Sequence, residues 1–128
     1  MKYVVDTNII LRFLVGDNKE QQKKAVAYFR EGEKGKRDLY ITPLVIAEVC
    51  FVLETFYKKS REDIVSALQV FISSRWLSVE QRDRLVYLLP LYKSGLHFVD
   101  SFLVAWTRLE KAKLLTFDRK LEKKARFP

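Results

Sequence analysis

Lys2-Tyr3-Val4-Val5-Asp6-Thr7-Asn8 is the stretch that predicts how this chain folds. The apolar and β-branched residues of Lys2–Val5 predict a short buried strand. Asp6-Thr7-Asn8 then supplies side chains that cap helix N-termini, and the apolar run Ile9–Val15 follows, with Gly16 as its stop. Asp6 is therefore expected at the carboxyl end of a strand, beside the start of a helix.

The alternation of strand and helix continues along the chain. Short apolar stretches predict further strands at Leu39–Thr42, Trp76–Val79 and Lys113–Thr116. Capping residues and helical spacing predict helices over residues 18–31, 43–58, 60–73, 80–92, 99–111 and 118–124. Because the connections are long enough for crossovers, we expect an α/β fold. Its form would be a three-layer sandwich with a central parallel sheet of four to five short strands flanked by helices. The 128 residues contain no linker or repeat, which predicts one domain over residues 1–128.

Four acids interrupt or end apolar runs: Asp6, Glu48, Asp100 and Asp118. A carboxylate in apolar surroundings is costly unless it is paired or binds a metal. Asp6 and Asp118 follow predicted strands, while Glu48 and Asp100 lie early in predicted helices. Ligands of parallel α/β sheets bind at the carboxyl ends of the strands, so all four acids could face the same edge. We therefore expect one anionic pocket filled by divalent metal.

Oxygen-rich pockets suit Mg²⁺ or Mn²⁺, and three or four carboxylates can hold one or two such ions. Two ions about 3.5–4 Å apart stabilise the attacking and leaving oxygens of a phosphoryl displacement. Four polar residues lie next to the acids in sequence and could orient a carboxylate or a metal ligand: Thr7, Asn8, Ser101 and Thr116. The pattern predicts a metal-dependent hydrolase of phosphate esters or diesters.

A simpler interpretation explains three of the acids without catalysis. Asp6, Asp100 and Asp118 could each cap a helix or complement its dipole in the first turn. Glu48 is harder to explain in this way, because it lies inside a helix with apolar residues on every side. The four acids together favour a functional site more than any one of them does.

The overall charge favours a polyanionic partner. The net charge is +8, and a basic surface attracts nucleic acid. The basic tail after Asp118 could be a solvated face or an electrostatic guide for RNA. One cysteine and one histidine exclude an internal disulfide and argue against Cys- or His-rich metal sites. No apolar run reaches membrane-spanning length and no secretory signal is evident, so we expect a cytoplasmic protein without a membrane partner.

Four motifs, in order and spacing, resemble the signature of PIN-domain nucleases: Val5-Asp6-Thr7-Asn8, Ile46-Ala47-Glu48-Val49, Val99-Asp100-Ser101-Phe102-Leu103 and Leu115-Thr116-Phe117-Asp118. The small size is similar to that of VapC-type toxins of prokaryotic toxin–antitoxin pairs. The resemblance implies a metal-dependent endoribonuclease that uses these four acids as metal ligands. It also implies a homodimer and a small antitoxin that covers the active site. Relatives usually add an edge strand after the position of Arg126, so the sheet is expected to be one strand short.

Two other functions compete with this interpretation. An aspartyl-phosphate phosphatase also uses Mg²⁺ at the end of the first strand of an α/β sheet. Many such enzymes carry a second acid two residues after the nucleophile, where this chain has Asn8. A non-catalytic basic module that binds RNA or a protein is the other alternative, and it leaves the four acids without a role.

Overall fold

The structure is a computed structural model, and it describes residues 1–126. These residues form two compact units, one spanning Met1–Gln81 and a second that begins at Arg82. The first unit contains parallel strands and helices, and the second contains helices. The α/β class predicted from the sequence is confirmed. That the whole chain forms one domain stays a prediction.

Ten elements follow one another in the described residues. The first unit contains β1 (Lys2–Val4), α1 (Thr7–Leu14), α2 (Lys19–Glu33), β2 (Asp38–Ile41), α3 (Pro43–Thr55), α4 (Arg61–Ile72) and β3 (Ser78–Val79). The second contains α5 (Arg82–Lys93), α6 (Phe98–Glu110) and α7 (Arg119–Ala125). Each predicted helix has its counterpart here, with ends shifted by a few residues.

The sheet of the first unit is parallel and has the strand order β1-β2-β3. Tyr3 of β1 lies opposite Leu39 of β2, and Tyr40 of β2 lies opposite Ser78 of β3. β1 is an edge strand in this sheet, and all three of its residues are exposed. The prediction that Lys2–Val5 is a buried strand is therefore wrong except for Val5, which is buried beyond the end of β1.

The predicted number of strands is too high for the residues that the structure describes. Residues 1–126 contain three strands rather than four to five, because Lys113–Thr116 forms no ladder with another strand. This segment runs from the left-handed Lys111, which ends α6, to Asp118 at the start of α7. Leu114 packs against a buried core, whereas Leu115 is exposed. The prediction that the sheet lacks an edge strand after Arg126 falls outside the described residues.

Polar caps explain why several helices start where the sequence predicts. Ser60 Oγ accepts a hydrogen bond from the Asp63 backbone N–H at 3.1 Å, which opens α4. Thr42 Oγ1 accepts from the Val45 N–H at 3.5 Å, and Pro43 follows at the first position of α3. Proline suits that position because its missing N–H has no intrahelical partner there.

Apolar packing holds each unit together separately. In the first unit, the ring of Phe29 lies 4.6 Å from that of Phe13 and 5.5 Å from that of Phe71, between centroids. In the second unit, Val104 of α6 packs with Leu121 and Ala125 of α7. No helix within residues 1–126 is long and apolar enough to cross a membrane.

Candidate functional site

Asp6 lies at the point where β1 gives way to α1. The Val5 N–H still donates to the Tyr40 carbonyl at 3.0 Å, so the chain leaves the sheet directly at Asp6. Asp6 Oδ1 accepts a hydrogen bond from the Thr7 N–H at 2.8 Å, and the residue occupies the N-cap of α1. The side chain is exposed rather than embedded among apolar groups. Asp6 thus caps a helix, as the simpler interpretation expects, and it also lies at the end of a strand, as predicted.

Thr7 carries an unusual polar atom beside Asp6. Thr7 is 4% exposed, and its Oγ1 is buried without a hydrogen-bond partner among the described residues. A buried hydroxyl left unpaired typically costs about 1–3 kcal/mol. The hydroxyl is therefore a buried donor without a partner in the described part of the chain, next in sequence to the candidate ligand Asp6. Asn8 is exposed in the first turn of α1 and lines a small cleft with Arg12.

Glu48 is exposed on α3, although its sequence neighbours are apolar. Leu44 and Phe51, four residues before it and three after it, are themselves 81% and 66% exposed. The buried stripe of the helix is formed by Ile46, Val49 and other residues on the opposite side. Glu48 is thus a solvent-accessible carboxylate, not one desolvated within the core.

Asp100 and Asp118 line the same cleft in the second unit. Asp100 is half-buried in the first turn of α6. Asp118 is the exposed N-cap of α7, where its Oδ1 accepts from the Leu121 N–H at 3.0 Å. The cleft has a volume of about 530 Å³ and is also lined by Leu96, Leu121, Lys120, Lys123 and Lys124. Carboxylates and ammonium groups therefore share one cavity, which suits a cation and a phosphate together.

The two hydroxyl residues of the second unit have different surroundings. Thr116 Oγ1 accepts a hydrogen bond from the Asp118 N–H at 3.0 Å, which fixes the turn that presents the Asp118 carboxylate. Ser101 is fully buried, and its hydroxyl donates to the His97 carbonyl at 2.9 Å. Thr116 thus helps to position Asp118, a candidate metal ligand, through the Asp118 backbone. The Ser101 hydroxyl, by contrast, donates a hydrogen bond to a carbonyl at the start of α6.

The structure brings the predicted acids together in part. Asp100 and Asp118 share a cleft of the second unit, and Asp6 and Glu48 belong to the first. Neither unit by itself contains, within residues 1–126, a group of three or more His, Cys, Asp or Glu side chains that could hold a metal ion. Mg²⁺ is commonly bound through one or two carboxylates and keeps several waters, so the Asp100–Asp118 pair fits such an ion chemically. That all four acids share one site stays a prediction.

These features define an α/β protein with acids at a strand end and at helix N-termini. Residues 3–127 match the PIN domain family, and the chain belongs to this family. It is 30% identical over 90 residues to the VapC ribonuclease of Aquifex aeolicus (strain VF5). The match covers 70% of this chain and 65% of that protein's length, slightly less than two thirds. No solved structure matches the chain significantly.

Proposed function

We propose that this chain is a metal-dependent endoribonuclease that hydrolyses RNA phosphodiester bonds. The observation that carries the proposal is the cleft in which Asp100 and Asp118 lie with Lys120, Lys123 and Lys124. Membership of the PIN domain family and the similarity to a VapC ribonuclease support it. A basic protein with a net charge of +8 is also suited to a polyanionic substrate.

The proposed ligands are the carboxylates of Asp6, Glu48, Asp100 and Asp118, with Mg²⁺ or Mn²⁺ as the cation. When bound, such an ion supplies Lewis-acid polarisation of a phosphoryl oxygen and makes water more acidic. The carboxylates offer oxygen ligands of the kind that these ions prefer. Asp6 and Asp118 each use Oδ1 in a backbone hydrogen bond, which orients the rest of the carboxylate.

The neighbouring side chains have complementary roles in this proposal. The lysines of α7 hold the phosphate of the RNA by charge. Thr116 fixes Asp118 through the backbone, and the exposed Asn8 is available beside Asp6 to hydrogen-bond a ligand. Ser101 contributes to the placement of Asp100 through its bond within α6.

The biological setting is part of the same proposal. We infer that the chain is the toxin of a toxin–antitoxin pair, acts in the cytoplasm, forms a homodimer and is inhibited by a cognate antitoxin protein. The similarity to the VapC ribonuclease supports this setting. Size-exclusion chromatography with light scattering measures the homodimer directly, and a monomer at micromolar concentration would remove that part of the proposal.

Cleavage of labelled RNA with Mg²⁺, with Mn²⁺ and with EDTA tests the activity. We expect cleavage that requires metal and a loss of at least about 100-fold in Asp6→Asn and Asp100→Asn, since ligand loss removes several kcal/mol of stabilisation. Asp63→Asn is the matched control, because Asp63, like Asp100, is an acid in the first turn of a helix. It should cleave at the wild-type rate and melt at a similar temperature.

The same assay separates the alternatives. Retention of RNA without cleavage in every metal would identify a non-catalytic RNA-binding module. Hydrolysis of a phosphate monoester in preference to RNA would identify a phosphatase. Wild-type cleavage rates in both Asp6→Asn and Asp100→Asn would show that the site assignment is wrong. If those variants instead unfold, the charge of these acids is needed for folding, and the assay does not support their assignment as ligands.

A further inference from the structure

A basic groove runs along α2 and the loop that follows it, in the first unit. Its volume is about 560 Å³, and five cations line it: Lys19, Lys23, Arg30, Lys34 and Lys36. All five of these residues are exposed to solvent. The remaining lining comes from Gln22, Val26, Ala27 and Glu31. We call this feature the α2 groove.

The cations follow the helical repeat. Lys19, Lys23, Arg30 and Lys34 are spaced by four, seven and four residues, which places them along one side of the helix. With a rise of 1.5 Å per residue, the row extends for roughly 22 Å. The charges therefore form a line rather than a cluster, and a line of cations matches a linear polyanion.

The positive charge of the α2 groove is not neutralised by acidic residues of the groove itself. Its one acid, Glu31, is paired with Arg37, whose pKa is raised mainly by that hydrogen bond. Among the ion pairs of residues 1–126, none involves the five cations of the groove. By contrast, Lys24 faces away from the groove on the same helix and lies 3.9 Å from Glu20. The groove thus holds a surplus of positive charge.

We propose that the α2 groove binds the sugar-phosphate backbone of single-stranded RNA, outside the cleft that contains Asp100 and Asp118. The choice of RNA rests on the proposed ribonuclease function, whereas the preference for a polyanion rests on the groove itself. An acidic protein fits less well, because strong protein interfaces use aromatic anchors and the apolar lining here is limited to Val26 and Ala27. The groove would hold the RNA backbone without reading its bases.

Salt-dependent RNA binding tests this proposal in EDTA, where metal-dependent cleavage does not interfere. Fluorescence anisotropy of a labelled RNA of about 20 nucleotides is measured between about 0.05 and 0.3 M KCl. The full-length double variant Lys23→Gln/Lys34→Gln removes two groove charges. Lys59→Gln/Lys93→Gln is the control, since it removes two exposed lysine charges outside the groove. Thermal melting followed by circular dichroism checks that both variants are folded.

Counterion release gives the expected size of the effect. Each phosphate contact to a single strand contributes about 0.7 to the slope of log K against log salt, so two lost contacts reduce the slope by about 1.4. The same change weakens binding by roughly tenfold at 0.2 M salt. The control variant should keep the wild-type slope within about 0.3.

Three results would overturn the proposal: equal slopes in the groove and control variants, no RNA binding by the wild type in EDTA, or groove-dependent binding of polyglutamate without groove-dependent binding of RNA. The last result would assign the groove to an acidic protein. Normal RNA binding by the groove variant, with cleavage still lost in Asp100→Asn, removes the groove proposal and leaves the nuclease. Groove-dependent binding with no cleavage in Mg²⁺ or Mn²⁺ supports the groove and removes the nuclease.

Discussion

Replacing Asp118 by alanine removes two things at once, the N-cap of α7 and a carboxylate of the cleft. The cap is the 3.0 Å bond from the Leu121 N–H to Oδ1. Loss of an N-cap side chain typically costs about 1 kcal/mol of stability. For a chain of 128 residues this corresponds to a fall in melting temperature of roughly 3–5 °C. Asp118→Ala should therefore melt slightly earlier than the wild type.

Asp118→Asn separates the two roles. Asparagine caps helices about as well as aspartate, so its side-chain oxygen can keep the bond to Leu121. The variant loses the favourable interaction of a negative charge with the helix dipole, typically 0.3–1 kcal/mol for an exposed side chain. Cleavage should nevertheless fall at least about 100-fold in both variants, which corresponds to roughly 3 kcal/mol of lost transition-state stabilisation. Both variants should therefore lose cleavage because both lose the negative charge, whereas only Asp118→Ala loses the stability that the capping hydrogen bond provides.

Ser60→Ala supplies the matched control for capping. Ser60 caps α4 through its bond to the Asp63 N–H at 3.1 Å, and its loss should cost a similar 1 kcal/mol or so. A domain with about 5 kcal/mol or more of stability stays almost fully folded after such a loss, so Ser60→Ala should cleave normally. The readouts are the melting temperature and the initial rate of RNA cleavage under saturating Mg²⁺. Wild-type cleavage by Asp118→Asn would refute the assignment of Asp118 as a ligand.

Three further predictions concern individual contacts within the first unit. The Tyr57 hydroxyl donates to Asp17 Oδ2 at 2.8 Å and is the main cause of the lowered pKa of that carboxyl. The stability that the bond adds is therefore fully present above about pH 4 and is lost as the pH falls through the lowered pKa of the folded state, so the difference in melting temperature between the wild type and Tyr57→Phe should be largest at neutral pH and shrink as the pH is lowered below about 4. Burial raises the pKa of Cys50 to about 12, so native protein at about pH 8 should resist alkylation until it is unfolded, as mass spectrometry can show. Gly32→Ala should destabilise by about 1–3 kcal/mol in urea unfolding, since the new Cβ would lie 2.7 Å from Leu39 Cδ1 in the buried core; a neutral result would show that this contact relaxes freely.

The helices were predictable because their start signals are local. Thr42-Pro43 and Ser60 act within one turn of the helices that they begin, and the structure shows the corresponding cap bonds. The strands were less predictable, since a strand exists only when another strand pairs with it. Lys113–Thr116 has the apolar character of a strand, yet it forms no ladder in the described part of the chain. Whether a strand pairs depends on the rest of the fold, so it cannot be predicted from the sequence of one segment.

The predicted surroundings of Glu48 show a different limit. Its helix has apolar residues on two opposite sides: Leu44 and Phe51 are exposed, whereas Ile46 and Val49 are buried. A helix that is apolar all round gives no amphipathic signal to tell the surface side from the core side. The sequence therefore suggested a buried carboxylate where the structure has an exposed one. Desolvation is not a reason to require a metal at this residue.

The sequence alone does not predict the α2 groove, although the cations that line it are visible there. Cations at residues 19, 23, 30 and 34 have helical spacing, but lysines on an exposed helix are ordinary. This row of cations differs from an ordinary exposed helix because α2 and the loop after it together form a concave surface around the cations. That surface is visible only in the folded chain. In the second unit, by contrast, the sequence does predict a basic tail after Asp118, and three lysines of this tail line the cleft beside Asp118.

Capping and metal binding are compatible roles for the same carboxylate. A carboxylate has about four lone-pair sites, so one hydrogen bond from a backbone N–H leaves capacity for a cation. Capping also does not require charge: Asn18, Thr42 and Ser60 cap α2, α3 and α4 with neutral side chains. Acids occupy the caps of α1 and α7, at Asp6 and Asp118, where serine or asparagine would cap equally well. Capping needs only an oxygen, and the helix dipole favours a negative charge at these positions by no more than about 0.3–1 kcal/mol, so a loss of cleavage in the asparagine variants is the decisive evidence for a ligand role.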